Sequence, residues 1–513
     1  MPRAALGVFA ILWASYAFFW QGRDWNTASR LMLTYALVDR GTISIDGLDD
    51  QTGDKALYRD HYYSDKLPGY SMLAAGPYAA IKAVFRLPPH PLDARGFAHW
   101  PADYGITLLT SGLLTAATGS LLMMLASDLG CGPRRSVLLG LAYGLATPAY
   151  VYATLAYGHQ AAAACLLGSC ALIRRDPDRR EAISMAGAGF LAAYAAVVEI
   201  QVGPVSAILG LYAAGLAASR RRSVIGLIAF GLGALVPTLF LLGYNLVAFG
   251  SPLRMGYFYH ATQRFAAVHN AANPLGLGRP DWSRLDDLLV RPARGLLWYA
   301  PIVLLTLPGL VAMVARRMVG MAAVCAATMA AVILVNLSYP EWSGGWSTGP
   351  RLLVPLLPFA MLPVAGLLAV GGRAATTLAV LLAVAGAVVA FLFQGVGGRV
   401  PDPQPAVIPG RSDPLANPLF DAVLPIWGGG RLPGWLFGER YVRTLVSIGW
   451  PDRVESLGPS TQWVQFVPLL AFQAIMIGLL FRSVRPTGIR QEKPPEPTPS
   501  GADPTPPATP DPP

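Results

Sequence analysis

Acidic, basic and aromatic side chains crowd one stretch of this sequence. The segment LDDQTGDKALYRDHYYSDKLPGYSMLAAGPY carries Asp49, Asp50, Asp54, Asp60 and Asp65 beside Lys55, His61, Tyr63 and Lys66. Just upstream, DWNTASRLMLTYALVDRGTISIDG opens on Asp24. A grouped carboxylate can take the proton of a hydroxyl, provided geometry or burial helps an acid whose ordinary pKa is about 4. The bland reading is that these acids only solvate a loop. Further along, TLAYGHQAAAA supplies His159, which can bind a ligand, move a proton or stabilise a helix end. AAVVEIQVGP places Glu199 between two apolar runs, where a carboxylate is costly unless it is used. YNLVAFGSPLRMGY contributes Asn245 and Tyr257, as substrate contacts or as a structural cap. YPEWSGGWSTGPRLLVPLLP packs Glu341, Trp342, Trp346 and Arg351 among glycines. Glycines let a backbone approach a ligand, indoles offer flat faces to sugars, and a guanidinium fork suits phosphate.

The elements that must position these residues are membrane spans. The 513 residues are 54% hydrophobic and only 13% charged, with a mean hydropathy of +0.45, too little polar surface for a water-soluble fold. Apolar runs recur at about the 20 residues needed to cross roughly 30 Å of hydrocarbon. Basic clusters at Arg134-Arg135, Arg174-Arg175, Arg179-Arg180, Arg220 to Arg222, Arg316-Arg317 and Arg482 with Arg485 abut these runs. Placed together on the cytoplasmic side, they pair the spans between them and put both termini inside. Leu67 to Phe85 must then be an interfacial helix rather than a span, since counting it would invert every later cluster. The face of Ala28, Leu31, Met32, Tyr35 and Ala36 predicts a second helix lying on the membrane.

The expected architecture is therefore an all-α polytopic membrane protein of about twelve spans, within one of that number, with interfacial helices in its first outer loop. Outer loops fall at 21–103, 249–294, 338–351 and 394–462, and a Pro-rich tail over 486–513 is expected to be disordered on the cytoplasmic side. The net charge of +10 sits in the orienting clusters and not in a basic groove, which argues against nucleic acid as a partner. Cys131, Cys165, Cys170 and Cys325 fall in spans or at the inner face, so no disulfide is expected in the outer loops. No phosphate-binding glycine loop or zinc motif is present to indicate soluble-nucleotide or metal chemistry.

YYSDKLPG, leading into a Pro-containing apolar helix, is similar to the Y-x-x-K-P-P element in the first periplasmic loop of GT-C glycosyltransferases, including protein O-mannosyltransferases and lipid A aminoarabinose transferases. Arg351 and its run RLLVPLLP resemble the R-Y-L-L-P element of the same superfamily. The resemblance implies a GT-C-like module over residues 1–485 in a bacterial-type inner membrane, active on the outer face. It implies an inverting transfer of a sugar from a polyprenyl-phosphate donor to a cell-envelope acceptor. Lys66 would meet the donor phosphate, with Arg351 as a second cation and His159 near the phosphate. The family's Asp-Glu pair falls near Asn26-Thr27, where the match fails. The base is then Asp24 or one of Asp54, Asp60 and Asp65, with Asp54 first and Asp65 second. His61, Tyr63, Glu199, Asn245, Tyr257, Glu341, Trp342 and Trp346 are the expected substrate contacts. The Asp49-Asp50 pair resembles acidic pairs that hold a divalent cation in some GT-C enzymes. The rival class is a transporter or flippase, which would place its charges near the bilayer midplane instead of at one face.

Overall fold

The apolar runs fold as helices, which is how a backbone in hydrocarbon satisfies its own polar groups. The computed structural model describes residues 1–90, 101–175, 180–269, 273–400, 417–428, 442–455 and 459–484. Among these, eight helices are long and apolar enough to cross a membrane: Pro101–Asp128, Glu181–Val198, Ile200–Ala218, Val224–Phe249, Val319–Leu337, Arg351–Val370, Gly372–Val396 and Thr461–Ser483. The four other expected spans fold as shorter pieces. The first is α1 (Pro2–Ala17), followed by the strand β1 (Phe19–Gln21). The second breaks around Pro148 into Pro133–Leu145 and Ala149–Ala153, because proline lacks the N–H that helix continuity needs. The third is His159–Arg174, and the fourth narrows to the apolar helix Pro301–Ala315. The Pro-rich tail and most of the stretch from 401 to 441 lie outside the described residues.

The arginine clusters gather at one end of the bundle. Arg134 donates to Val484 O (3.0 Å), Arg222 to Ile173 O (2.6 Å), Arg316 to Leu129 O (2.8 Å) and Arg135 to Leu368 O. Helix C-termini leave such carbonyls unpaired, so cations are stabilising there. The helices then rise to an opposite end where the polar loops meet. Glycines let two of them cross backbone to backbone. A Cβ on Gly189 would lie 1.8 Å from Phe230 O, and one on Gly233 would lie 1.9 Å from Ala186 O. We expect Gly189→Ala and Gly233→Ala each to lower the thermal midpoint in detergent, by the equivalent of about 1–3 kcal/mol. An unchanged midpoint in both would show that this crossing does not hold the Glu181–Val198 and Val224–Phe249 helices together.

Three local structures position the polar end. Helix α2 (Trp25–Tyr35) is started by Asp24, whose carboxylate accepts the Thr27 N–H at 2.7 Å while Thr27 Oγ1 accepts the Asp24 N–H at 2.8 Å. Ala28, Leu31, Met32, Tyr35 and Ala36 are buried, as their period predicts, but Thr27, Ser29, Arg30 and Thr34 are buried as well. The second face of α2 therefore meets protein and not water, unlike a helix resting on a membrane surface. Helix α3 (Gly69–Phe85) carries the Leu67 to Phe85 run and starts against the end of Glu181–Val198, where Tyr194 donates to Gly69 O at 2.8 Å. Between α2 and α3, β2 (Lys55–Tyr58) and β3 (His61–Ser64) form an antiparallel hairpin. Arg59 and Asp60 make its two-residue turn, both at positive φ (50° and 62°), the geometry that matches the twist of paired strands. A fourth strand, β4 (Val442–Thr444), pairs with β1 and returns the last outer segment to the first.

Candidate functional site

The hairpin register explains why two acids eleven positions apart meet. Lys55 pairs with Ser64, so Asp54 and Asp65 face each other just beyond the open end. The Lys66 ammonium lies between them, 2.8 Å from Asp54 and 2.6 Å from Asp65. Asp65 also accepts from Ser29 of α2 at 3.1 Å and has His260 at 3.6 Å. His260 arrives through a bridge from Ala56 and the bond from Ala261 N–H to Lys55 O (2.8 Å). Burial alone would lower the lysine, yet Asp54 and Asp65 outweigh it and hold the ammonium far above its ordinary pKa. Burial would raise Asp65, but Lys66 and then His260 bring it below the usual carboxylate range. Asp54, Asp65 and His260 each offer a ligand atom within 4.8 Å of the others. A divalent cation fits this oxygen-rich set only in place of the ammonium. Asp49, half of the pair that resembles cation-holding acids, meets Lys55 at 2.9 Å.

A second group stands beside the first. Arg30 of α2 donates to Glu199 at 2.8 Å, and His159 lies 3.5 Å from the same carboxylate. Glu199 fills the break between two helices with extended backbone and rests on Gly158, where a Cβ would come within 2.3 Å of its Oε1. Among the described residues neither ring nitrogen of His159 has a hydrogen-bond partner, although the residue is buried. Its ring stacks on Tyr157, with centroids 5.6 Å apart and planes at 10°. The Tyr157 hydroxyl donates to Asp24, which also receives Arg399 Nε at 2.9 Å. Burial pushes Asp24 up, but Arg399, then the bonds from Thr27 and Tyr157, prevail and hold it at about 2. The Arg351 guanidinium carbon stands 5.3 Å from the Tyr157 ring centre, and Arg351 Nε has no hydrogen-bond partner. The turn before Arg351 passes it through Gly344, where a Cβ would sit 2.7 Å from that nitrogen. Arg294 braces this turn by donating to Ser343 O (3.1 Å) and Gly345 O (2.8 Å). The fields of Lys66 and Arg351 both reach Tyr339, whose hydroxyl burial pushes up to about 12. The two groups therefore share one environment.

The expected residues divide accordingly. Asp24, Asp54, Asp65, Lys66, His159, Glu199 and Arg351 converge. Tyr257 joins them, its ring 6.0 Å from the Lys66 ammonium and stacked on His269 with centroids 4.9 Å apart. Asp60 and His61 do not join. They occupy the exposed far end of the hairpin, where His61 meets Asp46 at 2.7 Å. Four paired residues at about 3.4 Å each separate that tip from Lys66. Tyr63 packs on Phe249 (centroids 5.3 Å apart), and Asn245 donates to Pro252 O (3.1 Å), which makes it the structural cap. Trp342 and Trp346 are partly buried against the helical core, and Glu341 is half-buried beside them. Sequence reasoning missed Arg30, Tyr157 and Arg399. Arg399 stands in GVGGRVP, and the glycine signal that singled out Arg351 applies there equally.

No family model and no curated relative matches this chain. Solved structures similar to this chain include two of ArnT. Against ArnT from Cupriavidus metallidurans bound to undecaprenyl phosphate, the TM-score is 0.50 at 15% identity, covering 93% of this chain and 77% of that one. Against ArnT from the same organism in the apo state, the TM-score is 0.46 at 15% identity, covering 92% and 73%. The helical bundle with its polar loops gathered at one end is thus the GT-C fold of ArnT.

Proposed function

We propose that this chain is a membrane glycosyltransferase that moves a sugar from a polyprenyl-phosphate donor to a hydroxyl of a cell-envelope acceptor. The observation that carries this reading is the set of buried nitrogens with open valences, on His159 and Arg351, at the polar end of the bundle. A half-buried guanidinium whose Nε is closed off from solvent and has no carboxylate partner among the described residues is a binding site for an anion. The solved ArnT structure that shares this fold was obtained with undecaprenyl phosphate, a phosphate on a lipid tail. A tail lying in hydrocarbon delivers its phosphate to this end of the helices.

The charges also suggest how the work is divided. Lys66 is outnumbered by Asp54 and Asp65, whereas Arg351 has no carboxylate partner among the described residues, so the phosphate sits at the Arg351–His159 side with Lys66 at its edge. The acceptor oxygen attacks the anomeric carbon, the bond from that carbon to the phosphate oxygen breaks, and the electron pair leaves on the phosphate. Cations already aimed at that oxygen stabilise its growing charge without reorganising. Both Asp24 oxygens and both Asp65 oxygens are engaged by the protein. Asp54 gives one oxygen to Lys66, and its other takes no hydrogen bond among the described residues. Asp54 is therefore the carboxylate free to take the acceptor proton, and Asp24 fixes Tyr157 and Arg399.

The test is full-length protein in nanodiscs with radiolabelled undecaprenyl-phosphate sugars and an envelope extract as acceptor. Label is expected to move from the lipid to acceptor with release of undecaprenyl phosphate. Lipid that crosses a vesicle bilayer chemically unchanged would identify a flippase instead.

A further inference from the structure

Trp25 is the first residue of α2, and 52% of its surface is exposed although most of α2 around it is buried. Its indole lies flat on Gly53, where a Cβ would approach to 2.7 Å of Cδ2 and Cε3. Thr52 Oγ1 locks the arrangement by donating to Trp25 O at 2.7 Å. One indole face is thus seated on a residue that only glycine allows, and the other is open. Asp24 precedes the indole, Asp54 follows its glycine seat, and Asp50 stands exposed nearby in the chain. An aromatic anchor in the lipid headgroups keeps apolar company, and carboxylates on both sides are unfavourable there. An exposed flat apolar face with carboxylates at adjacent chain positions suits a pyranose, which has C–H faces and equatorial hydroxyls.

We infer that Trp25 is the platform on which a sugar ring of the acceptor stacks, with a hydroxyl directed to Asp54. This rests on the glycosyltransferase reading and deepens it: the acceptor is a glycan or glycolipid rather than a protein side chain. The platform adjoins Asp54, so a ring on it brings a hydroxyl toward the proposed base.

The experiment is saturation-transfer NMR on the full chain in nanodiscs, with a panel of neutral and anionic oligosaccharides and no donor. Undecaprenyl phosphate binding is measured separately. Wild type is expected to bind at least one oligosaccharide. Trp25→Ala and Gly53→Val, which removes or displaces the indole, should each weaken that binding about tenfold, whereas Trp25→Phe stays within about threefold. Undecaprenyl phosphate should bind all four proteins alike. Absence of oligosaccharide binding to wild type, or equal binding by Trp25→Ala, overturns the platform. So does loss of a large share of the fluorescence quenching by brominated lipid in Trp25→Phe, which would make Trp25 a membrane anchor. A wild type that binds oligosaccharide but not undecaprenyl phosphate would overturn the donor assignment and leave the platform standing.

Discussion

Lys66→Ala is expected to reduce sugar transfer from the polyprenyl-phosphate donor by at least about a hundredfold, the usual cost of removing a charge aimed at the leaving group. The effect has two parts. The donor phosphate loses a cation, and Asp54 and Asp65 are left facing each other with nothing between them. Their ligand oxygens and the ligand nitrogen of His260 lie within 4.8 Å of one another. Like charges that close cannot both stay ionised easily, so one acid takes up a proton or the pair takes up a cation. The variant should therefore unfold at a midpoint that falls as pH rises through neutrality, and millimolar magnesium or calcium should restore the midpoint without restoring transfer. Transfer within about threefold of wild type would remove Lys66 from the mechanism. A midpoint indifferent to both pH and cations would show that the carboxylates separate once the ammonium is gone.

Exchanging the two candidate bases should give different kinds of damage. Asp54→Asn is expected to cost about two to four orders of magnitude in transfer, the range for losing a general base, with the thermal midpoint nearly unchanged because Asp54 lies at a hairpin mouth. Asp24→Asn should act mainly on stability. Its carboxylate caps α2 and offsets the charge of the buried Arg399, and breaking such a pair costs about 3–5 kcal/mol. The pH dependence has a definite sign. Asp24 is held at about 2, below its reference value of 3.8, so its stabilisation is present in full above about 4 and is lost as pH falls toward 2. Wild-type midpoints should drop over that acidic window, and Asp24→Asn should flatten the drop. A folded Asp24→Asn with no activity, beside an active Asp54→Asn, would transfer the role of base to Asp24.

Much of this was legible before the chain folded. Apolar runs, arginine clusters and the YYSDKLPG element are local patterns, and each acts through physics that extends only a few residues along the chain. A helix must span hydrocarbon, a cation stays out of it, and a lysine flanked by acids declares an electrostatic environment. Those patterns established the membrane class and the helical architecture, and they drew attention to Lys66.

Tertiary structure decided which acids count. The sequence already favoured Asp54 and then Asp65 over Asp60, and the hairpin register sends Asp54 and Asp65 to the open end and Asp60 to the turn. Strand pairing depends on a partner, so composition cannot report it. The partners of Asp24 lie still further off: Tyr157 is 133 positions away and Arg399 is 375. No local rule relates positions so distant, because helix packing alone brings them within a hydrogen bond. Arg30 shows the same division. Its helical period was plain, but a period reveals only which residues share a face. That both faces of α2 are buried, and that Arg30 meets Glu199 there, followed from the helices that closed around it.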